Sequence, residues 1–150
     1  MSATLTRLEE ARRTGDFNHF VEFIPYMKFL GVRVEQKDGQ LVGRMPARDD
    51  LIGNPSIPAL HGGTLGAILE SSAQFELLYR AETVVLPKTV TITIDYLRSG
   101  KKQDTFVKST IVKQGRRVTT VHAKAWQEDE NQPIATATVI LLILGIESKS

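Results

Sequence analysis

The residues best placed to do chemistry share one stretch, Leu60-His61-Gly62-Gly63-Thr64-Leu65-Gly66-Ala67-Ile68-Leu69-Glu70-Ser71-Ser72-Ala73-Gln74. It reads as a glycine-rich start to a helix that is apolar on most of its circumference, with one carboxylate, Glu70, in the middle. A helix apolar nearly all round is expected to be buried, and buried carboxylates are rare unless paired or functional. Gly66 at i−4, Ala67 at i−3 and Ala73 at i+3 leave a hollow above the Glu70 carboxylate where bulkier neighbours would have filled it. Ahead of it, Gly62 and Gly63 permit close approach to the backbone and leave N–H groups free to bind a developing negative charge. The plainer alternatives are a flexible helix start and an acid that reaches solvent along a helix edge, as is expected of Glu76. The helix pattern alone leaves both readings standing.

Spacing sharpens the choice. Glu70 follows His61 by nine residues, about 2.5 turns at 3.6 residues per turn. A single ligand group cannot touch both the N–H groups and Glu70 from one helix without a shared pocket. A dimer that lends its helix start to its neighbour's pocket would bring the two together.

The elements that must position this stretch follow from periodicity. Residues 4–15 carry helix signals, with Thr4 or Thr6 as cap, Glu9 and Glu10 early, Arg12 and Arg13 late, and Gly15 just past the end. A short second helix is expected over residues 16–23, where Phe17, Phe20, Val21 and Ile24 recur at helical spacing and Pro25 interrupts. From Gly31 the period changes, and Asp38-Gly39 between alternating runs is a hairpin signal. Residues 48–60, with Pro55 and Pro58, read as a loop, and the helix then runs over residues 62–79. Val90, Ile92, Ile94 and Tyr96 alternate with polar residues as in a half-buried strand. Further strands are expected over residues 106–113, 118–127 and 134–144, the last apolar on both faces and therefore central or covered on both sides. The sum is a helical arm (residues 1–30), a hairpin, one long helix and a four-stranded meander, within a single domain over residues 1–150. Six antiparallel strands must then wrap around the helix. The other sheet face, rich in threonine and lysine, is solvated or meets another subunit.

Composition bounds the function. The chain has 150 residues, 41% hydrophobic and 24% charged, with net charge +2 and no cysteine. That argues for an ordinary globular domain and against disorder, nucleic-acid binding on charge alone, disulfides and thiolate chemistry. The N-terminus lacks the apolar core of a signal peptide, and the longest apolar run, residues 139–144, is too short to span a bilayer. A cytoplasmic protein with neither a nucleic-acid nor a membrane partner is the expectation. His19 and His122 have no partner at metal-ligand spacing, so no metal is expected. Tyr96 and Trp126 read as packing residues. Arg98, Lys101, Lys102, Arg116 and Arg117 gather at two turns.

The His-Gly-Gly turn followed after six residues by an acid resembles the active-site helix of hot-dog-fold acyl-CoA thioesterases, in the PaaI-like superfamily, and the likeness extends over residues 31–144. Glutamate at the acid position resembles the branch of 4-hydroxybenzoyl-CoA thioesterases of the Arthrobacter type. The resemblance implies an α+β hot-dog fold and hydrolysis of an acyl-CoA thioester, without a metal or redox cofactor, coenzyme A being part of the substrate. It implies that Glu70 is a general base for water or a nucleophile forming a transient anhydride. Gly62 would offer its N–H to the thioester oxygen, and His61 would hold the turn. Many relatives carry Asn or Gln six residues before the His; here Pro55 stands there, and Asn54, one residue away, takes its place among the catalytic candidates. Gln74 stands where relatives place Ser or Thr, Thr89 where some place a helping hydroxyl, and Gly63 lies against the substrate. Arg98, Arg116 and Arg117 are the candidates for the coenzyme A phosphates. A homodimer or tetramer with shared sites is implied. The rivals are a non-catalytic acyl-CoA-binding module, which has no reason to keep the carboxylate, and a hydratase or dehydratase of the same fold, which needs a differently placed His and acid.

Overall fold

A computed structural model describes residues 3–81 and 86–144. The arm comprises α1 (Ala3–Thr14), α2 (Asn18–Phe23) and α3 (Pro25–Leu30). Pro25 therefore does not end the arm but starts a third helix, since proline suits a first-turn position whose N–H has no intrahelical acceptor. Gly31 closes α3 in the left-handed region, at φ 73°. Phe17 meets Tyr79 and Phe20 meets Phe75 edge-on, at centroid distances of 5.4 and 6.0 Å, so the arm rests on the C-terminal half of the long helix.

Strands β1 (Arg33–Lys37) and β2 (Gln40–Met45) form the expected hairpin. Asp38 and Gly39 both have positive φ, 53° and 76°, as a two-residue turn matched to strand twist requires. The expected loop holds a 3-10 turn (Asp49–Leu51) and a small hairpin of β3 (Ile52–Asn54) and β4 (Ala59–Leu60). The helix α4 (Gly62–Arg80) follows, then β5 (Leu86–Tyr96), β6 (Thr105–Gln114), β7 (Val118–Trp126) and β8 (Ala135–Leu144).

The main sheet has six antiparallel strands in the order β1-β2-β6-β7-β8-β5. The last four strands are thus not a plain meander. The strand that leaves α4 emerges at the far edge and pairs with β8, from Leu86↔Leu144 to Tyr96↔Ala135. The reason lies in the helix, which crosses the sheet's inner face and carries the chain from one side to the other. β8 is paired on both edges, by β7 and β5, and is an interior strand of the sheet, one of the two placements its apolar run predicts. A bulge between Thr89 and Thr91 turns Val90 outward, 60% exposed, while Ile92 and Ile94 keep the inward face.

The core lies between α4 and that inner face: Leu65, Ile68, Leu69 and Leu77 of the helix meet Leu41, Val107, Val121, Val139 and Leu141 of the strands. Ala123, Ala125, Ala135 and Ala137 are buried there too, and these small side chains let the helix approach closely. Trp126 packs as expected, but on the outer face, stacked on Phe106 at 5.9 Å.

Glu76 corrects its expectation outright. It is fully buried rather than solvent-facing. Its Oε1 accepts from the Leu41 N–H at 3.0 Å, and its Oε2 accepts from Arg80, which also donates to the Gly39 carbonyl at 2.8 Å. A buried carboxylate is tolerable only with such partners, and these latch the β1–β2 hairpin to α4. Among the described residues no helix is long and apolar enough to cross a membrane.

Candidate active site

The β3–β4 hairpin delivers the chain to the start of α4. The Leu60 N–H donates to the Gly100 carbonyl at 2.8 Å and the His61 N–H to the Leu51 carbonyl at 2.9 Å. Gly53 backs directly on His61: a Cβ at residue 53 would stand 2.8 Å from the His61 Cα. His61 is the N-cap, in extended conformation, and its Nδ1 accepts from the Gly63 N–H at 2.8 Å. With Nδ1 accepting, a neutral imidazole here carries its proton on Nε2. The Thr64 and Leu65 N–H groups both donate to the His61 carbonyl, at 3.0 and 3.4 Å.

Helix geometry leaves four N–H groups at an N-terminus without intrahelical acceptors. Here local partners take up those of Gly63, Thr64 and Leu65. Among the described residues the Gly62 N–H has no partner. It is the free donor of the turn.

The same turn docks on the end of β5. The Tyr96 hydroxyl donates to the Gly62 carbonyl at 2.9 Å. A Cβ at residue 62 would lie 3.3 Å from the Tyr96 ring, and one at residue 66 would lie 3.0 Å from Ile94 Cδ1. The two glycines thus let the helix lie close against β5, with the Tyr96 ring and the tip of Ile94 filling the space a side chain would take.

Glu70 is half-buried and, among the described residues, has no hydrogen bond or ion pair. It shares its face of α4 with Gly63, Gly66, Ala67 and Gln74, all at least half-exposed or half-buried, while the face carrying Leu65, Leu69, Ser72 and Glu76 is buried against the sheet. The helix is therefore less uniformly buried than its composition implies, and the acid sits on its open side. Gly62 and Glu70 are eight residues apart, a rise of about 12 Å along the axis. Gln74 and Thr89 bond to each other, Nε2 to Oγ1 at 2.9 Å, and so tie α4 to β5 one turn beyond Glu70.

Asn54 lies at the tip of the β3–β4 hairpin, its Oδ1 accepting from the Ser56 N–H at 3.0 Å and closing that turn. Arg98 lies two residues past Tyr96, at the Gly62 end of the sheet, and donates to Gln132 at 3.1 Å. Lys101 and Lys102 beside it are paired with Glu128 and Asp49. Arg116 and Arg117 occupy the β6–β7 turn at the opposite end. The register runs from Tyr96↔Ala135 at one end to Val118↔Leu142 at the other, about 23 Å at 3.3 Å per residue. The two groups of cations therefore do not converge within one chain. His19 is exposed on the arm and His122 on the outer sheet face.

Two residues of the site carry no chemical signature in the sequence. Gly53 sits inside a stretch read as loop. Tyr96 continues the alternation of Ile92 and Ile94 and read as a packing residue, but at the end of β5 its ring is exposed, and what it supplies is the bond from its hydroxyl to the Gly62 carbonyl.

Comparison with known proteins gives this geometry a family. Residues 53–142 match the family described as "Acyl-CoA thioesterase N-terminal domain". The medium/long-chain acyl-CoA thioesterase YigI of Escherichia coli strain K12 is 24% identical over 157 residues, covering 95% of this chain and 99% of that protein. YigI of Salmonella typhimurium is 26% identical over 160 residues, with the same coverage. A protein from Chromobacterium violaceum of known crystal structure is 34% identical, with a TM-score of 0.77, covering 95% of this chain and 99% of that one. The chain belongs to the acyl-CoA thioesterase family, with the hot-dog fold of a sheet wrapped on one helix, and is a thioester hydrolase.

Proposed function

We propose that the chain hydrolyses acyl-CoA thioesters by attack of a water molecule that Glu70 deprotonates, while the Gly62 N–H holds the oxygen of the thioester carbonyl. The observation that carries this reading is the Gly62 N–H itself, the one backbone donor at the start of α4 left without a partner among the described residues. A preorganised N–H of this kind stabilises the negative charge that develops on the carbonyl oxygen as the tetrahedral intermediate forms. The Glu70 carboxylate accepts a proton from water, and the water oxygen bonds to the acyl carbon. Collapse of the intermediate breaks the C–S bond, releasing the free acid and coenzyme A, whose sulfur takes up the proton. His61 holds the turn through Nδ1, with Gly63 beside it against the substrate.

The rise of about 12 Å between Gly62 and Glu70 exceeds the span of a thioester group, so the pair that serves one substrate comes from two chains. β5 supports this, since among the described residues it pairs only with β8 and leaves its other edge open beside the Glu70 face. A homodimer, or a tetramer built from such dimers, places one chain's helix start against the other's acid. Arg98, at the Gly62 end, is the residue assigned to a coenzyme A phosphate. Arg116 and Arg117 lie too far from it to share that ligand within one chain. Asn54, Gln74 and Thr89 frame the site, the last two by fastening α4 to β5. Coenzyme A enters as part of the substrate and no further cofactor takes part. Medium- and long-chain acyl groups are the proposed substrates, on the strength of the full-length likeness to YigI, and the cytoplasm is the proposed location.

The test is release of free thiol from a panel of aryl-, short-, medium- and long-chain acyl-CoA esters. Glu70→Gln and Glu70→Ala are expected to lose roughly 100-fold or more in turnover while keeping their fold and oligomeric state. Full activity in either variant overturns the assignment.

A further inference from the structure

We propose that Tyr96 is a positioning residue for the oxyanion-binding turn, acting through the Gly62 carbonyl. The inference rests on the role given above to the Gly62 N–H. The peptide unit joining Gly62 to Gly63 is held at both of its poles. Its carbonyl oxygen accepts from the Tyr96 hydroxyl at 2.9 Å, and its N–H donates to His61 Nδ1 at 2.8 Å. The Gly62 N–H belongs to the preceding peptide, which is itself fixed by the two bonds that the His61 carbonyl accepts. Two successive glycines give this turn more backbone freedom than any other pair of residues would. A donor that must be preorganised to stabilise charge therefore stands on the most pliable part of the helix. The Tyr96 bond removes that freedom.

The contact also accounts for glycine at position 62. A Cβ there would meet the Tyr96 ring at 3.3 Å. Residue 62 thus lacks a side chain so that Tyr96 can reach its carbonyl, and Tyr96 in turn supplies the restraint that a side chain would have given. Burial does not explain the ring's position. Tyr96 is 55% exposed, at the last position of β5, where a hydrogen bond competing with water contributes little to folding. What the bond does affect is the direction of the neighbouring N–H.

The experiment uses the full chain with Tyr96→Phe, which keeps the ring and deletes only the hydroxyl. Turnover is expected to fall roughly ten-fold with KM unchanged within about two-fold, a pattern that marks a loss felt mainly in the transition state. Thermal midpoint and oligomeric state are expected to stay as in the parent. In parallel, the Gly62 and Gly63 amide signals of labelled protein are expected to shift, and exchange of the Gly63 proton, held on His61 Nδ1, to quicken, with residues beyond the turn unaffected. Unchanged kcat, a loss carried by KM alone, or unmoved Gly62 and Gly63 amides each overturns the proposal. Failure of the underlying functional reading has a separate signature: Glu70→Gln turning over like the parent, with the amide shifts in Tyr96→Phe present all the same.

Discussion

Gly53 backs on the His61 cap and Gly66 faces β5, and what each would strike if it bore a side chain differs in kind. A Cβ at Gly53 would meet His61 at its Cα and Cβ, 2.8 and 2.9 Å away, which only a backbone shift can relieve. Gly53→Ala is therefore expected to displace the His61 cap, lowering stability by about 1–3 kcal/mol and turnover with it. A Cβ at Gly66 would meet the far end of a flexible side chain, Ile94 Cδ1, at 3.0 Å. That atom can swing away, and alanine gains about 1 kcal/mol of helix propensity over glycine. Gly66→Ala is expected to melt within a few degrees of the parent while losing some turnover, because the added methyl pushes on Ile94 and lies 3.9 Å from the Tyr96 hydroxyl that holds the turn. Thermal melting and thiol release measured on both variants separate the two effects; equal loss of stability in both would refute the distinction.

At the level of elements, two carboxylates decide how the β1–β2 hairpin is held. Glu76 joins α4 to the start of β2 through the Leu41 N–H and to the hairpin tip through Arg80 and Gly39. Glu76→Ala strands a buried N–H and loosens that latch, at an expected cost of about 2–4 kcal/mol in urea unfolding. A cost under about 0.5 kcal/mol would show that the latch is dispensable. Asp104 fastens the other end, accepting from the Ala47 N–H at 3.0 Å and pairing with Arg44 at 2.6 Å. The Ala47 N–H first, and Arg44 after it, hold its carboxyl below the ordinary range. A carboxyl whose folded pKa is depressed contributes stability above its unfolded value and loses it as pH falls through the folded one. Asp104→Asn should therefore be less stable than the parent at neutral pH, by under about 1 kcal/mol because the pair is largely exposed. The gap should close as pH drops below 3.8, the ordinary value for aspartate. A gap that widens in acid would contradict this.

At the level of the whole molecule, the distance between Gly62 and Glu70 makes a prediction that no single-chain site makes. In the proposed dimer, mixing Glu70→Gln chains with chains impaired at the turn by Gly53→Ala should regenerate activity when subunits exchange, since every mixed dimer then carries one site with both parts intact. Mixtures that stay as inactive as their components would place both parts of a site in one chain. The scale of the whole also shows where local reading stops. The helix over residues 62–79, the hairpin at Asp38-Gly39 and the later strands were legible because periodicity and turn chemistry are local properties. So was the nine-residue interval from His61 to Glu70, on which the resemblance to thioesterases rested.

What the sequence by itself determined was therefore the set of elements, the chemistry-bearing stretch and its family resemblance. Tertiary structure alone decided which groups face one another. It carried β5 across to β8, drew Glu76 inward onto Leu41, set Arg98 and Arg116 at opposite ends of the sheet, and laid the Tyr96 hydroxyl on the Gly62 carbonyl. The physical reason is common to all four. Each depends on contacts between residues far apart in the chain, chosen by how the helix packs across the sheet, and no periodicity within a single segment records that choice.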